Sequence, residues 1–291
     1  MNATTEARMS QPEPETTHPK PVTDAEPVAH PAGAEALLRV EGLSVQYGAL
    51  MAVNNVHLAV RPGGRHALIG PNGAGKSSLF AALAGANRAA TGKIFLDGVD
   101  ITGYDEARRA TAGLVRTYQH SNLFPALTVL DNVRIAAEKA GGRPLRAWPS
   151  RKADRVITEL AEASLAQVGL EHRTTQVVSS LSHGERRQVE VALVLACNPR
   201  IVLFDEPTAG MSAAETQRFS ALVEALPDDV AVVIIEHDLD VVFRLAERIS
   251  VLSAGRIIAE GTPEEVRDDA AVQEAYLGTG RGEEPLFGEL S

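Results

Sequence analysis

A glycine-rich loop with a regular spacing of glycine, lysine and serine lies between an apolar run and a helical run of this chain. Residues 70–77 match the pattern G-x-x-x-x-G-K-[ST] at every fixed position. The apolar residues 67–69 before the loop predict a short buried strand, and residues 77–84 predict a helix. The loop consists of Gly70, Pro71, Asn72, Gly73, Ala74, Gly75, Lys76 and Ser77. A strand, this loop and a helix in that order predict a phosphate-binding loop.

The residue types of the loop suit phosphate chemistry. Glycines lack a Cβ atom, so the backbone can turn tightly and direct its N–H groups at phosphate oxygens. The start of the following helix adds free N–H groups and the positive end of its dipole. We expect Lys76 to reach the β- and γ-phosphates, the Ser77 hydroxyl to bind Mg²⁺, and Ser78 to belong to the same binding set. A chance glycine-rich turn is the alternative, but all eight positions and both flanks fit the motif.

Composition and charge exclude several classes of function. The chain has 291 residues, of which 44% are hydrophobic and 23% charged, as is ordinary for a globular protein. Its formal net charge is −10, and the acidic excess lies in residues 1–35 and 260–291, which leaves a nearly neutral core without the basic surface that nucleic acid requires. No stretch of 18 apolar residues occurs, so we expect no membrane span, and residues 1–34 do not have the pattern of a signal peptide.

Apolar runs that alternate with helical patterns predict an α/β fold. The all-apolar runs 201–204 and 230–235 are typical of parallel strands covered on both faces. Alternating residues at 38–45 and 52–60 predict an antiparallel pair before the central strand. Residues 1–35 are acidic and rich in proline, which predicts a disordered extension. Further strands and helices are predicted at 94–96, 113–118, 249–252 and 257–258 and at 105–112, 128–137, 153–168, 184–198, 212–226 and 239–246.

Polar side chains follow three of these predicted strands, and carboxyl ends of parallel strands meet at one edge of a sheet. Asp205 and Glu206 come directly after residues 201–204. We expect Asp205 to hold the Mg²⁺ that Ser77 touches and Glu206 to orient or deprotonate the attacking water. His237 ends the next apolar run and is a candidate for a γ-phosphate contact, with a structural histidine as the alternative.

Gln119 follows the predicted strand at 113–118 and is a candidate contact for the metal or the water. A plain loop glutamine is the alternative for this residue. Tyr47 lies 23 residues before the glycine loop, where an aromatic ring could stack on a base or could simply pack at a strand end.

The residues Leu181-Ser182-His183-Gly184-Glu185 resemble the LSGGQ signature of the ATPases of ABC transporters, with His183 and Glu185 as departures. The resemblance implies that Ser182, His183, Gly184 and Glu185 close on ATP bound by an opposite subunit. It also implies that Tyr47 stacks on adenine, Gln119 is the glutamine of the Q-loop, and His237 is the switch histidine. Ser212 stands where the D-loop of this family usually has aspartate, which places cross-dimer signalling through that side chain in doubt.

Three segments resemble the ATPases of branched-chain amino-acid importers, namely residues 115–119, 235–238 and 272–278. The resemblance implies an ATP- and Mg²⁺-dependent cassette at 36–279, with a mainly parallel sheet, an N-terminal antiparallel β subdomain, a helical subdomain at about 120–185 and a flexible acidic tail at 280–291. It implies as partners a second ATPase subunit, identical or related, two membrane permeases and, through them, an extracytoplasmic binding protein. The chain would then lie peripherally on the cytoplasmic face of the cell membrane.

Two other functions stay open at this point. ATPases that serve urea, other amino acids or lipopolysaccharide share much of the pattern, and the cassette does not touch the cargo. An ABC ATPase without a transport role is the other alternative, but the chain has one phosphate loop and no sustained heptads. The basic stretch 140–155, which contains Trp148, is either a contact for lipid headgroups or a partner, or a solvated surface.

Overall fold

The computed structural model describes residues 36–117, 123–140 and 151–277. The strands are β1 (Leu38–Tyr47), β2 (Leu50–Val60), β3 (Arg65–Ile69), β4 (Thr91–Leu96), β5 (Val99–Asp100), β6 (Leu114–Arg116), β7 (Ile201–Asp205), β8 (Ala231–Ile235), β9 (Arg248–Ser253) and β10 (Arg256–Gly261). The helices are α1 (Lys76–Ala84), α2 (Glu106–Thr111), α3 (Val129–Ala140), α4 (Arg151–Gln167), α5 (His183–Ala196), α6 (Ala213–Glu224), α7 (Leu239–Leu245), α8 (Pro263–Asp268) and α9 (Ala270–Leu277).

The central sheet has the strand order β10-β9-β3-β8-β7-β6. Its strands pair in parallel from β9 to β6, and only β10 runs antiparallel, on β9. Every residue of β7 and β8 is buried, as their apolar sequences predict for strands covered on both faces. The parallel α/β sheet predicted from the sequence is therefore confirmed, and β3 with its glycine loop lies beside β8.

A second, antiparallel sheet has the order β2-β1-β4-β5. It confirms the predicted pairing of β1 with β2, which runs from Leu38 opposite Val60 to Tyr47 opposite Leu50. The turn between β4 and β5 has positive φ at Asp97 (50°) and Gly98 (76°), as a two-residue Asp-Gly hairpin requires.

The central sheet separates two hydrophobic cores. Alternate residues of β7 face opposite sides, so that Leu203 packs in the core around α1 and the antiparallel sheet, whereas Val202 packs among helices α3–α6. Helix α1 therefore lies between the two sheets. Packing against both sheets fixes the position of α1 and of the glycine loop that precedes it.

Helices α3, α4 and α5 bury apolar residues in the same core. The buried Asn132 on α3 donates through Nδ2 to the carbonyl of Phe124 (3.1 Å) and accepts from its N–H through Oδ1 (2.7 Å). The segment before α3 is thus tied to the helix.

Some predicted boundaries are wrong. Helix α4 begins at Arg151 rather than at residue 153, so the end of the basic stretch 140–155 is helical. Residues 141–150 of that stretch lie outside the described residues. Strand β6 covers Leu114–Arg116 of the predicted 113–118, and residue 118 also lies outside. Helices α8 and α9 were not predicted, although Thr262 and Glu265 form an N-terminal capping box and Pro263 is the first residue of α8.

A buried arginine caps the carboxyl end of α1. Arg109 is 2% exposed, and its Nη1 donates to the carbonyls of Ala82 and Leu83, both at 2.6 Å. The Nε and Nη2 atoms donate to the carbonyls of Tyr104 and Thr102, both at 3.1 Å. Burial lowers the pKa of Arg109 to about 10, so the side chain stays protonated at neutral pH. A cation at this end of a helix also compensates the dipole.

We expect Arg109→Met to lower the free energy of unfolding by about 3 kcal/mol, because it leaves several buried carbonyls without a donor. Urea unfolding at pH 7 measures the difference. Arg108→Met is the matched control, because Arg108 is exposed and lies over the Tyr104 ring, and its loss should change stability by about 0.5 kcal/mol or less. Equal effects of the two variants would contradict the capping role.

Candidate functional site

The glycine loop connects β3 to α1 in close contact with two neighbouring strands. Gly70 has φ of 147°, and a Cβ atom built on it would lie 2.0 Å from the carbonyl oxygen of Leu252 in β9. Gly75 has φ of 103°, and its Cβ would lie 2.2 Å from the carbonyl oxygen of Ala52 in β2. Any side chain at these positions would displace the loop, so both glycines are required by the packing as well as by the backbone conformation.

Lys76 is the first residue of α1 and is buried within the loop. Its Nζ donates to the carbonyls of Gly70 (2.6 Å) and Pro71 (3.0 Å). Burial lowers the pKa of Lys76, and the carboxylates of Glu206 and Asp205 act against that shift. Gly75 caps α1 without a side-chain hydrogen bond, so the free N–H groups of the first turn are available to an anion.

The serines that follow differ in exposure. Ser77 is exposed and Ser78 is half-buried, and both belong to the first turn of α1. Of the remaining loop residues, Asn72 and Gly73 are exposed, Pro71 is half-buried and Ala74 is buried. The loop thus has exposed backbone and hydroxyl groups, whereas the Lys76 side chain is buried against the loop carbonyls.

Asp205 ends β7 and has one free oxygen. Its side chain is 3% exposed, and Oδ2 accepts from Nη2 of Arg116 at 2.6 Å. Arg116 is the last residue of the adjacent strand β6. The other oxygen, Oδ1, is buried and has no hydrogen-bond partner within the described ranges. A buried carboxylate oxygen of this kind is expected to have a ligand.

These residues fit a magnesium ion. Mg²⁺ takes oxygen ligands and is usually held by one or two protein groups together with phosphates and water. The unpartnered Oδ1 of Asp205 and the exposed Ser77 hydroxyl are suitable donors. In the described part of the chain, no group of three or more His, Cys, Asp or Glu side chains could hold a metal.

Glu206 and His237 follow two adjacent strands. Glu206 comes directly after β7, has φ of 45°, and donates its N–H to the carbonyl of Ile235 at the end of β8 (2.9 Å). His237 follows β8 after one residue and is exposed. The negative charges of Glu206 and Asp205 raise the pKa of Lys76 against the larger, lowering effect of its burial. Strands β7 and β8, which Glu206 and His237 follow, are adjacent and parallel. The roles of Glu206, Asp205 and His237 stay predictions.

Residues 182–185 form the start of α5. Ser182 Oγ accepts from the N–H of Glu185 (3.2 Å), and Glu185 Oε2 accepts from the N–H of Ser182 (2.9 Å). The Glu185 carboxylate also pairs with Arg173 at 2.9 Å. Hydrogen bonds from Ser182 and the charge of Arg173 hold the pKa of Glu185 below its usual range. Across the described residues, no hydrogen bond or ion pair joins residues 182–185 to the glycine loop of the same chain.

The sequence of this chain is similar to those of known ATP-binding proteins. The family model described as ABC transporter matches residues 53–209. BraF of Pseudomonas aeruginosa is a high-affinity branched-chain amino acid transport ATP-binding protein. It is 36% identical to this chain over 251 residues, which cover 83% of this chain and 98% of BraF. The chain belongs to the ATP-binding proteins of ABC transporters.

Three further matches show which ABC ATPases this chain resembles. A model described as branched-chain amino acid ATP-binding cassette transporter matches residues 256–281. LivG of Escherichia coli, which has the same transport description as BraF, is 35% identical over 84% of this chain and 99% of LivG. The crystal structure of the ADP conformation of MJ1267, an ATP-binding cassette of an ABC transporter, has a TM-score of 0.74 at 29% identity and covers 84% of this chain and 99% of MJ1267. The fold, nucleotide binding and ATP hydrolysis coupled to transport follow from this membership.

Tyr47 of the ABC ATPase is at the end of β1 with 46% of its surface exposed. Its hydroxyl accepts from Nδ2 of Asn87 at 2.6 Å, just after the end of α1. The ring is thereby tied to the helix that begins at the glycine loop. Its open face fits the predicted stacking on a base.

Three further residues of the ABC ATPase were predicted to belong to the site, namely Gln119, His183 and Gly184. Gln119 lies outside the described residues, so its proposed contact stays a prediction. His183 is exposed, and the Glu215 carboxylate of α6 lies close to it. The same carboxylate lies beside Gly184, because a Cβ atom built on Gly184 would be 3.2 Å from Oε1 of Glu215. The starts of α5 and α6 are therefore neighbours.

The sequence analysis missed two residues of this site. Arg116 lies within residues 115–119, which indicated only a family resemblance, and no pattern in the sequence shows that it lies beside Asp205. Glu236 is 1% exposed and accepts hydrogen bonds from the loops after β7 and β8. Its signal was a carboxylate that directly extends the apolar run 230–235.

Proposed function

We propose that this ABC ATPase powers the import of branched-chain amino acids. The observation that carries the proposal is the similarity to BraF and LivG along nearly their whole length, together with the match of residues 256–281 to the branched-chain amino acid model. The cargo is inferred from relatives, because nothing in the site of an ATPase contacts it.

The proposed mechanism assigns a task to each group of the site. The N–H groups of the loop and Lys76 bind the phosphates, Tyr47 stacks on the base, and Ser77 with Oδ1 of Asp205 would hold Mg²⁺. When bound there, Mg²⁺ would supply positive charge that compensates the negative charge developing on the phosphates. Glu206 orients the attacking water and accepts its proton, and His237 contacts the γ-phosphate. Gln119 is proposed to contact the metal or the water.

The signature segment is proposed to act on a second nucleotide. Ser182, His183, Gly184 and Glu185 lack any bond to the glycine loop of their own chain, which supports a site completed by a second ATPase subunit, identical or related. Because Arg173 and the cap at Ser182 compensate the Glu185 charge, this carboxylate need not repel the phosphates of that nucleotide. Two sandwiched nucleotides would then close and reopen the dimer during hydrolysis.

An exposed apolar patch before and beside α3 is the proposed docking surface for the two permeases. It consists of Phe124, Leu127 and Val177, all exposed, and Leu127 is tied to the neighbouring segment because its carbonyl accepts from the N–H of Val178 (3.0 Å). The patch follows residues 118–122, which contain Gln119. Through the permeases the ATPase would serve an extracytoplasmic binding protein.

The proposed organisation places the cassette at 36–279, with its helical subdomain at about 120–185, an extension at 1–35 and a tail at 280–291. Among the helices that the structure describes, none is long and apolar enough to cross a membrane. We propose attachment to the cytoplasmic face of the membrane through the permeases.

The proposal predicts that cells lacking this chain take up labelled leucine poorly. Complementation with the wild-type chain should restore uptake, and complementation with Glu206→Gln should not. An unchanged leucine uptake in the deletion strain, with ATPase activity of the purified protein intact, would remove the proposed cargo and retain the motor. Urea and other amino acids would be the next substrates in the same assay.

A further inference from the structure

We infer that Glu236 is a positioning residue that, together with Arg187, fixes the backbone conformation of the turn that contains Glu206. The inference rests on the proposed role of Glu206 in hydrolysis. The two residues come from different elements, Glu236 from the end of β8 and Arg187 from α5. Both bond to the segment that follows Glu206. Neither side chain has a part in the proposed binding of the nucleotide.

The Glu236 carboxylate joins the loops after β7 and β8. Its Oε1 accepts from the N–H of Thr208 (2.9 Å) and from the Thr208 hydroxyl (2.7 Å). Its Oε2 accepts from the N–H of His237 (3.2 Å). A carboxylate that is 1% exposed is costly unless hydrogen bonds compensate its charge, and these three donors do so. The carboxylate therefore fixes Thr208 relative to the backbone of His237.

Arg187 holds the residue between Glu206 and Thr208. Its Nε and Nη2 atoms donate to the carbonyl of Pro207 at 3.1 and 2.9 Å. Its Nη1 pairs with Glu190 one turn further along α5 at 2.5 Å, which keeps the guanidinium in place. The helix that begins with the signature segment is thus bonded to the turn beside the proposed catalytic glutamate.

The turn needs such support because of its backbone. Glu206 has φ of 45°, which a non-glycine residue adopts only when its surroundings hold it, and it precedes a proline, where extended backbone is preferred. Five hydrogen bonds of the described residues support it here. They are the hydrogen bond from the Glu206 N–H to Ile235, the two from Arg187 to Pro207, and the two from Thr208 to Glu236.

Replacement of Glu236 by glutamine tests this arrangement with little change of shape. The new amide has one accepting oxygen and an NH₂ group that cannot accept, so at least one of the Thr208 and His237 donors loses its partner. We expect kcat for ATP hydrolysis to fall roughly 10- to 100-fold, as for a catalytic group displaced by about 1 Å. The KM for ATP should stay within about twofold, because Glu236 has no bond to the loop at 70–77.

Glu260→Gln is the matched control. The Glu260 side chain is 4% exposed and accepts from Arg248 (3.1 Å) and Ser250 (3.3 Å) at the other end of the sheet order, in β10. The Glu260→Gln variant should change the melting temperature without changing kcat. Thr208→Ser, which keeps the hydroxyl, should retain most of the activity that Thr208→Val loses. A fall in melting temperature for Glu236→Gln with wild-type kcat would overturn the inference.

The purified full-length chain with Glu206→Gln, Glu236→Gln and both together separates this inference from the proposed function. If Glu206→Gln hydrolyses ATP at the wild-type rate, the proposed role of Glu206 fails and the inference fails with it. If Glu206→Gln is inactive and Glu236→Gln is normal, only the inference fails. If Glu236 acts through Glu206, the double variant should match Glu206→Gln in single-turnover hydrolysis. A further tenfold loss in the double variant would overturn the inference.

Discussion

Glu206→Gln is expected to lower ATP hydrolysis by at least about 100-fold, because it removes the group proposed to orient the water and accept its proton. Binding of ATP should persist. The loop at 70–77 and Lys76 are unchanged, and one negative charge is lost near the phosphates. The ATP-bound form should therefore accumulate as a closed dimer rather than turn over.

Phosphate release measures turnover in this test, and gel filtration with labelled ATP measures the retained nucleotide. Glu171→Gln is the control, because Glu171 is exposed and has no part in the proposed site. It should leave both readouts unchanged. Steady-state hydrolysis by Glu206→Gln at a rate near that of the wild type would disprove the proposed role.

Local patterns in the sequence predict much of the fold. The glycine loop, β3, β7, β8 and α1 are all found where the pattern predicts them, because apolar runs and the motif at 70–77 depend on short stretches of chain. The position of β8 between β3 and β7 is not encoded in this way. It results from pairing across long sequence separations, which single-sequence patterns do not specify.

The polar contacts around the site also depend on that strand order. The pair of Arg116 with Asp205 exists because β6 lies beside β7, although the residues are 89 positions apart. The contact of Glu236 with Thr208 requires β8 beside β7 in the same way. Motifs in the sequence predict the candidate ligand-binding residues, whereas the side chains bonded to their strand ends become visible only in three dimensions.

The structure gives Ser212 a role that the resemblance did not include. Its Oγ accepts from the N–H of Glu215 (3.4 Å), and Glu215 Oε2 accepts from the N–H of Ser212 (2.9 Å), so Ser212 caps α6. Serine is among the preferred residues at this position. A short polar side chain is thus sufficient for the local fold where the family usually has aspartate.

Arg116→Leu is expected to lower the free energy of unfolding of the nucleotide-free protein by about 3–5 kcal/mol, because it leaves the Asp205 carboxylate buried without its counter-charge. Both side chains of the pair are largely buried, at 14% and 3% exposure. A Mg²⁺ ion bound with ATP at Oδ1 would return positive charge to Asp205. The stabilisation by Mg·ATP should therefore be larger in Arg116→Leu than in the wild type.

Urea unfolding with EDTA measures the first effect, and the shift of melting temperature on addition of Mg·ATP measures the second. Arg244→Leu is the matched control, because Arg244 pairs with Glu224 at 2.7 Å on the surface, where a pair contributes about 1 kcal/mol or less. The double variant Arg116→Leu with Asp205→Asn should recover much of the lost stability, since no buried charge stays unpaired, but should lose the Mg²⁺-dependent shift. Equal destabilisation by Arg116→Leu and Arg244→Leu would show that the pair at the end of β7 is no more than a surface contact.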